Sequence, residues 1–214
     1  MVSGCVQKLD RNKICCGGIA MSLLKFFSFC FFFFLSCSNS YKYEKAIDYF
    51  YPLEEGRIYI YRYGEFVIER KIEYVDMKRS IVKVTERVSV ESKPGIKGRS
   101  IYIYKVKENL IKGTGGLAKG SIILKGPIKI GKSWKVKVYE FDRNLRKKVE
   151  YNAKAWIDEI KQIDVLNTQR RCIIVKSYEI IESKRFNTVS IYCKGIGWIG
   201  GETPGGKISL IKVE

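Results

Sequence analysis

Seven cysteines and no histidine bound the chemistry open to this 214-residue chain. Without an imidazole, the Ser-His-Asp and Cys-His nucleophile systems and the usual catalytic zinc sites lack their base or ligand. Paired carboxylates need no histidine, and Asp158, Glu159 and Asp164 are the candidates, with 158 and 164 on one strand face. Their surroundings, Trp156-Ile157-Asp158-Glu159-Ile160-Lys161, read as polar strand positions beside lysines, and nothing there marks an acid with a raised pKa. The run Gly113-Thr114-Gly115-Gly116-Leu117-Ala118-Lys119-Gly120 is glycine-rich but lacks the Gly-Lys-Ser/Thr ending of a phosphate loop. The expectation is a non-enzyme with no catalytic residue, no metal and no cofactor.

The cysteine with a chemical context is Cys37. Phe26 to Ser36 is an uncharged apolar run of eleven residues, bounded by Lys25 before it and by Ser38, Asn39, Ser40 and Lys42 after it. As a helix it covers about half of a 30 Å hydrocarbon core, too little for a span and the right length for the apolar centre of a secretory signal. Phe34-Leu35-Ser36-Cys37 looks like the bacterial lipobox, with leucine one place nearer the cysteine than usual. The expectation is a lipidated Cys37 followed by a polar tether. An ordinary signal cut after a small residue, or a buried apolar helix, is the alternative. Met21-Ser22-Leu23-Leu24-Lys25 makes a compact basic start, so residues 1–20 read as an upstream extension, 21–36 as the signal peptide, 37–42 as the lipidated tether and 43–214 as one domain.

Removing residues 1–36 takes three charges from the formal +18 and leaves +15. The basic residues alternate along strand-like stretches such as Lys135-Val136-Lys137-Val138 and Tyr104-Lys105-Val106-Lys107, as on solvated sheet faces, and no zinc-finger, RNP-like or basic-helix pattern appears. The charge therefore serves solubility or an anionic envelope surface, not nucleic acid.

Tyr43 to Phe50 has helical spacing, and everything after Pro52 reads as β. The expected strands are 58–63, 66–75, 80–90, 99–107, 121–124, 133–141, 148–163, 172–181, 188–194 and 207–213, with Gly113 to Gly116 taken as a turn. Short connections favour antiparallel neighbours. The fold class expected is all-β with minor α: an antiparallel meander forming a curved sheet or an open or partly closed barrel. Val82, Val84, Glu86 and Val88 form a mainly aliphatic face opposite Ile81, Lys83, Thr85 and Arg87. Tyr59, Tyr61 and Tyr63 share another face, which suits either cross-strand packing or a cavity wall.

Tyr51-Pro52-Leu53-Glu54-Glu55-Gly56-Arg57-Ile58-Tyr59 aligns with Gly126-Pro127-Ile128-Lys129-Ile130-Gly131-Lys132-Ser133-Trp134. Each reads as a rigid turn into a strand, so two similar halves, about 51–125 and 126–214, are expected. Cys172 and Cys193 lie on the two arms of a hairpin around Glu182 to Asn187, equally far from its tip. They can face each other as a disulfide or pack as small hydrophobes.

The aromatic-Pro-Leu opening from Tyr51 to Tyr61, the second turn from Pro127 to Trp134, the Arg171-Cys172-Ile173-Ile174-Val175 strand and Gly195-Ile196-Gly197-Trp198-Ile199 together resemble a group of poorly characterised bacterial envelope lipoproteins. The resemblance implies an exported, mainly antiparallel β domain anchored to a membrane through Cys37 and facing the periplasm or exterior. Ser38 in place of aspartate favours the outer membrane where there are two. It carries no catalytic residues.

Two functions follow. One is a binding module for lipid, glycan or an acidic envelope partner, its binding face formed by Tyr59, Tyr61, Tyr102, Tyr104 and Trp198. The other is an assembly component that docks on another envelope protein through a sheet edge or the Gly195 to Pro204 segment.

Overall fold

The computed structural model describes residues 43–142, 147–181 and 184–214. Cys37 and the segments 1–20, 21–36 and 37–42 lie outside them. Residues 43–214 form one compact unit. It holds twelve strands: β1 (Ile58–Tyr63), β2 (Phe66–Asp76), β3 (Ile81–Val90), β4 (Lys93–Lys107), β5 (Leu110–Gly116), β6 (Ile122–Lys125), β7 (Ser133–Asp142), β8 (Lys147–Val165), β9 (Thr168–Ile181), β10 (Lys184–Cys193), β11 (Gly197–Thr203) and β12 (Gly206–Val213).

The strands make a single antiparallel sheet in the order β6-β5-β4-β3-β2-β1-β12-β11-β10-β9-β8-β7, nearly closed as a barrel. All neighbours are consecutive in the chain except β1 and β12, which join the two ends of the domain. Residues 51–125 thus supply six adjacent strands and residues 126–214 the other six. The terminal strands β6 and β7 meet at the seam, where the Trp134 indole N–H donates to the Ile122 carbonyl at 3.0 Å.

The two aligned turns share one hydrogen-bond pattern. The Gly56 N–H donates to the Ile72 carbonyl at 2.8 Å and the Ile72 N–H returns to Arg57 at 3.0 Å. The Gly131 N–H donates to Ile157 at 2.8 Å and the Ile157 N–H returns to Lys132 at 2.9 Å. Gly56 and Gly131 hold φ of +85° and +81°, where a side chain is strained, and Ile72 and Ile157 are fully buried beside register shifts in β2 and β8. Tyr59 and Trp134, each three residues after its glycine, are then both buried.

Ten strands were expected and twelve are present; β5 and β11 are the additions, and both are glycine-rich. Glycine normally weakens a strand, but here neighbouring backbone comes too close for a side chain. A Cβ on Gly113 would overlap the Ala118 carbonyl, and one on Gly201 the Val189 carbonyl. Gly113 to Gly116 is therefore strand and not turn. The expected N-terminal helix is a single 3-10 turn, Ala46–Tyr49, because Pro52 follows closely and Phe50 is already extended.

Candidate functional site

In an up-and-down barrel the connections alternate between the two ends. The N-terminal segment lies across the end that carries the β4–β5, β6–β7 and β10–β11 connections. The Ile47 N–H donates to Glu108, the Ile128 N–H to Glu44 and the Gly195 N–H to Asp48, at 2.9 to 3.0 Å. The Glu44 carboxylate takes Arg171 Nε at 2.9 and 3.0 Å, the Tyr49 hydroxyl at 3.0 Å and Lys194 Nζ at 3.4 Å. Burial pushes the Glu44 carboxyl up, but Arg171, Tyr49 and Lys194 outweigh it and hold the group below its ordinary value. Ala46, Tyr49, Phe50 and Tyr51 are all buried. The segment is a plug.

Above the plug lies a cavity of about 270 Å³, lined by Phe50 and Tyr51 of the plug, by Tyr102, Tyr104 and Tyr192, by Trp198, and by the guanidinium of Arg70. Leu117, on the β5–β6 connection, lines it as well and is 70% exposed. Arg70 enters the barrel because it shares the inward parity of Ile68 and Ile72 on β2, opposite Tyr59 on β1 and Glu86 on β3. Glu86 sits on the aliphatic face between Val84 and Val88, opposite Ser100 on β4.

Arg70 Nε donates to Glu86 Oε2 at 2.7 Å and Nη1 to the Tyr51 hydroxyl at 3.1 Å. The second Glu86 oxygen accepts the Tyr102 hydroxyl at 3.1 Å. The guanidinium carbon lies 4.3 Å from the Trp198 ring centre, 5.4 Å from that of Tyr102 and 5.6 Å from that of Tyr61, within cation–π range of each. The side chains of Arg70 and Glu86 retain 18% and 11% exposure. Burial pulls the guanidinium down, and Tyr51, Tyr61 and Glu86 hold it up. Burial pushes the Tyr102 phenol up to about 12 against the opposing pull of Arg70, and pushes Tyr104 and Tyr192 up as well, so the hydroxyls are neutral donors at physiological pH.

Of the five residues expected to form a binding face, Tyr102, Tyr104 and Trp198 line the cavity. Tyr59 and Tyr61 lie behind it, fully buried. Tyr59 packs on Tyr51 at 4.8 Å between centroids, and the Tyr61 hydroxyl donates to the Trp198 carbonyl at 2.8 Å. They fall below the cavity because β1 runs past the plug and Tyr51 covers them from inside. Arg70, Glu86, Tyr51 and Tyr192 were missed. For Arg70 and Glu86 the signal is a charge in an otherwise apolar parity row, Arg70 between Ile68 and Ile72 and Glu86 between Val84 and Val88; Tyr51 and Tyr192 carry no such signal.

Cys172 and Cys193 are direct cross-strand partners on β9 and β10 and form a disulfide. Asp158, not among the residues lining the cavity, pairs with Lys176 at 2.7 Å and accepts the Trp156 indole N–H at 3.1 Å; Lys176 and Trp156 hold its carboxyl below the ordinary range. Glu159 pairs with Lys161 at 2.8 Å.

No protein-family model matches the chain, and no curated protein matches it. Three solved structures are similar to it. One is a candidate lipoprotein from Parabacteroides distasonis, 12% identical over 78% of this chain and 99% of its own, with a TM-score of 0.49. The second is a candidate exported protein with a YmcC-like fold from Bacteroides fragilis, 8% identical over 78% and 99%, with a TM-score of 0.48. The third is the hypothetical lipoprotein YmcC from Escherichia coli, 10% identical over 75% and 89%, with a TM-score of 0.39.

Within this chain the arrangement offers hydrogen bonds and aromatic faces. A guanidinium carries five N–H donors, and the bonds to Glu86 and Tyr51 use two of them.

Proposed function

We propose that the protein is a lipid-anchored, non-catalytic binding protein of the bacterial envelope, holding a small molecule inside its barrel above the plug. The observation that carries this reading is Arg70, paired with Glu86 behind it, lining a cavity of about 270 Å³ with aromatic walls. A buried ion pair is poor at adding stability, since well-packed apolar residues of similar volume do as well or better. A pair kept beside an aromatic-walled space instead supplies oriented polar groups, the usual composition of a ligand pocket.

The anchor rests on Phe34-Leu35-Ser36-Cys37 and the polar residues after it. Docking through the Gly195 to Pro204 segment has less behind it: β11 lies inside the sheet, paired with β10 and β12, and Trp198 points into the cavity.

Two measurements test the proposal. Metabolic labelling with a fatty acid is expected to mark the wild-type chain and not Cys37→Ala; equal labelling of both overturns the anchor. Native mass spectrometry of protein taken from its own membranes is expected to show a bound small molecule. A stoichiometric protein partner in its place overturns the carrier role in favour of assembly.

A further inference from the structure

Taking the cavity as a binding site, we infer that its ligand is an uncharged, hydroxyl-rich ring, a single neutral sugar residue, and not an anion. The strong positive charge of the chain suggests the opposite, so the choice rests on the charges inside the barrel. Among the described residues, the cavity wall carries one cation, Arg70, and its carboxylate partner, Glu86, is 2.7 Å away and just as deep. Their sum is zero. A carboxylate or phosphate entering this space would place a second anion near Glu86 with no second cation among the described residues of the wall. In a poorly hydrated site, an uncompensated charge is far more costly than an unmatched hydroxyl.

Everything else on the wall suits a neutral polyol. The guanidinium has donors beyond its bonds to Glu86 and Tyr51. Tyr104, Tyr192 and Ser190 belong to the same lining, and a hydroxyl both donates and accepts. The raised tyrosine pKa values keep those hydroxyls protonated. Apolar ring faces of a sugar lie well against the aromatic rings of Tyr102, Tyr104, Tyr192 and Trp198. The size agrees: about 270 Å³ is below the range of drug-sized pockets and holds one ring, not a chain.

The test uses matched pairs that differ only in charge: the methyl glycosides of glucose, galactose and mannose against the corresponding uronates, read by saturation-transfer NMR and calorimetry on the full chain in detergent. At least one neutral glycoside is expected to bind, with a Kd about tenfold or more below that of its uronate, the difference that an unpaired charge imposes. Arg70→Lys keeps the charge and the pairing with Glu86 but loses the planar donor array, and is expected to weaken binding about tenfold with an unchanged near-UV circular dichroism spectrum. Ser190→Phe fills the cavity without touching the ion pair and is expected to abolish binding.

A uronate that binds as tightly as its neutral partner, or tighter, overturns the inference; if Ser190→Phe also removes that uronate, the cavity reading stands without it. Absence of binding by every neutral glycoside overturns the inference too. Neutral binding that survives Ser190→Phe overturns both, because the ligand then lies elsewhere.

Discussion

Glu86→Gln isolates the energetics of the cavity wall. The substitution keeps the shape of the side chain and removes its charge, leaving the Arg70 guanidinium among Tyr51, Tyr61, Tyr102 and Trp198 without its partner. Both side chains are less than one-fifth exposed, so solvent screens the loss only slightly. Removing one partner of a buried pair costs about 3–5 kcal/mol. The surviving cation–π contacts and the Tyr51 bond offset part of that, about 1–2 kcal/mol. The expected loss is about 1–4 kcal/mol, read as the shift in urea midpoint at constant slope, or as a fall in Tm of roughly 2–15 °C for a domain of this size. Replacing both residues, Arg70→Met with Glu86→Leu, removes the charges together and is expected to recover most of the loss, giving a coupling of about 2 kcal/mol or more in the double-mutant cycle. A Glu86→Gln variant within about 0.5 kcal/mol of wild type, or strictly additive single changes, would refute the reasoning. A stable double variant that no longer binds would separate what the pair does for the ligand from what it does for the fold.

The plug carries a pH dependence and the hairpin a redox dependence. Glu44 is held below its ordinary pKa in the folded protein, so its contribution to stability is complete above the unfolded carboxylate value and is lost as pH falls through the lower folded value; Glu44→Gln should flatten the acid limb of the stability–pH curve and leave the curve unchanged in shape at neutral pH, and an unaltered acid limb would remove Glu44 from this role. The Cys172–Cys193 bridge closes a loop with a sequence separation of 21, and the Cys172→Ala, Cys193→Ala pair should lower unfolding free energy by about 2–4 kcal/mol in urea titrations; equal midpoints for oxidised wild type and the alanine pair would show that the hairpin alone holds this closure.

What the sequence disclosed depended on how far a residue's role was local. Alternation along a strand is a property of adjacent residues, which is why β1, β2 and β7 could be placed with accurate starts from Ile58, Phe66 and Ser133. The glycines of β5 and β11 follow another rule: Gly201 is small because the β10 backbone at Val189 crosses close to it, and Gly113 because the β5–β6 connection folds back over it at Ala118, and alternation along a strand records neither approach. The binding face lay between these cases. Tyr59 and Tyr102 both sit at inward positions, but only the plug decides which is covered, and the plug's place depends on contacts from Glu44 to Arg171 and from Asp48 to Gly195, each more than a hundred residues away. Arg70 and Glu86 were legible as anomalies in their parity rows. Seeing that they meet required the β2–β3 register.

The cavity follows from strand number. Eight strands close on a space that side chains just fill, and more strands leave a wider interior that must be occupied or left open. Here twelve strands surround the domain axis, and large rings alone do not fill it. The chain fills one end with its own N-terminal segment, whose last residues, Phe50 and Tyr51, become the floor of what is left. That floor also reaches the chemistry: the Tyr51 hydroxyl accepts from Arg70 at 3.1 Å and lies 3.4 Å from the Tyr61 hydroxyl, which in turn holds the Trp198 backbone. Plug, ion pair and aromatic wall are therefore one hydrogen-bonded unit. A change that loosens the Glu44 clamp should reach the ligand through Tyr51, so Glu44→Gln is expected to weaken binding at neutral pH as well as to alter the acid limb.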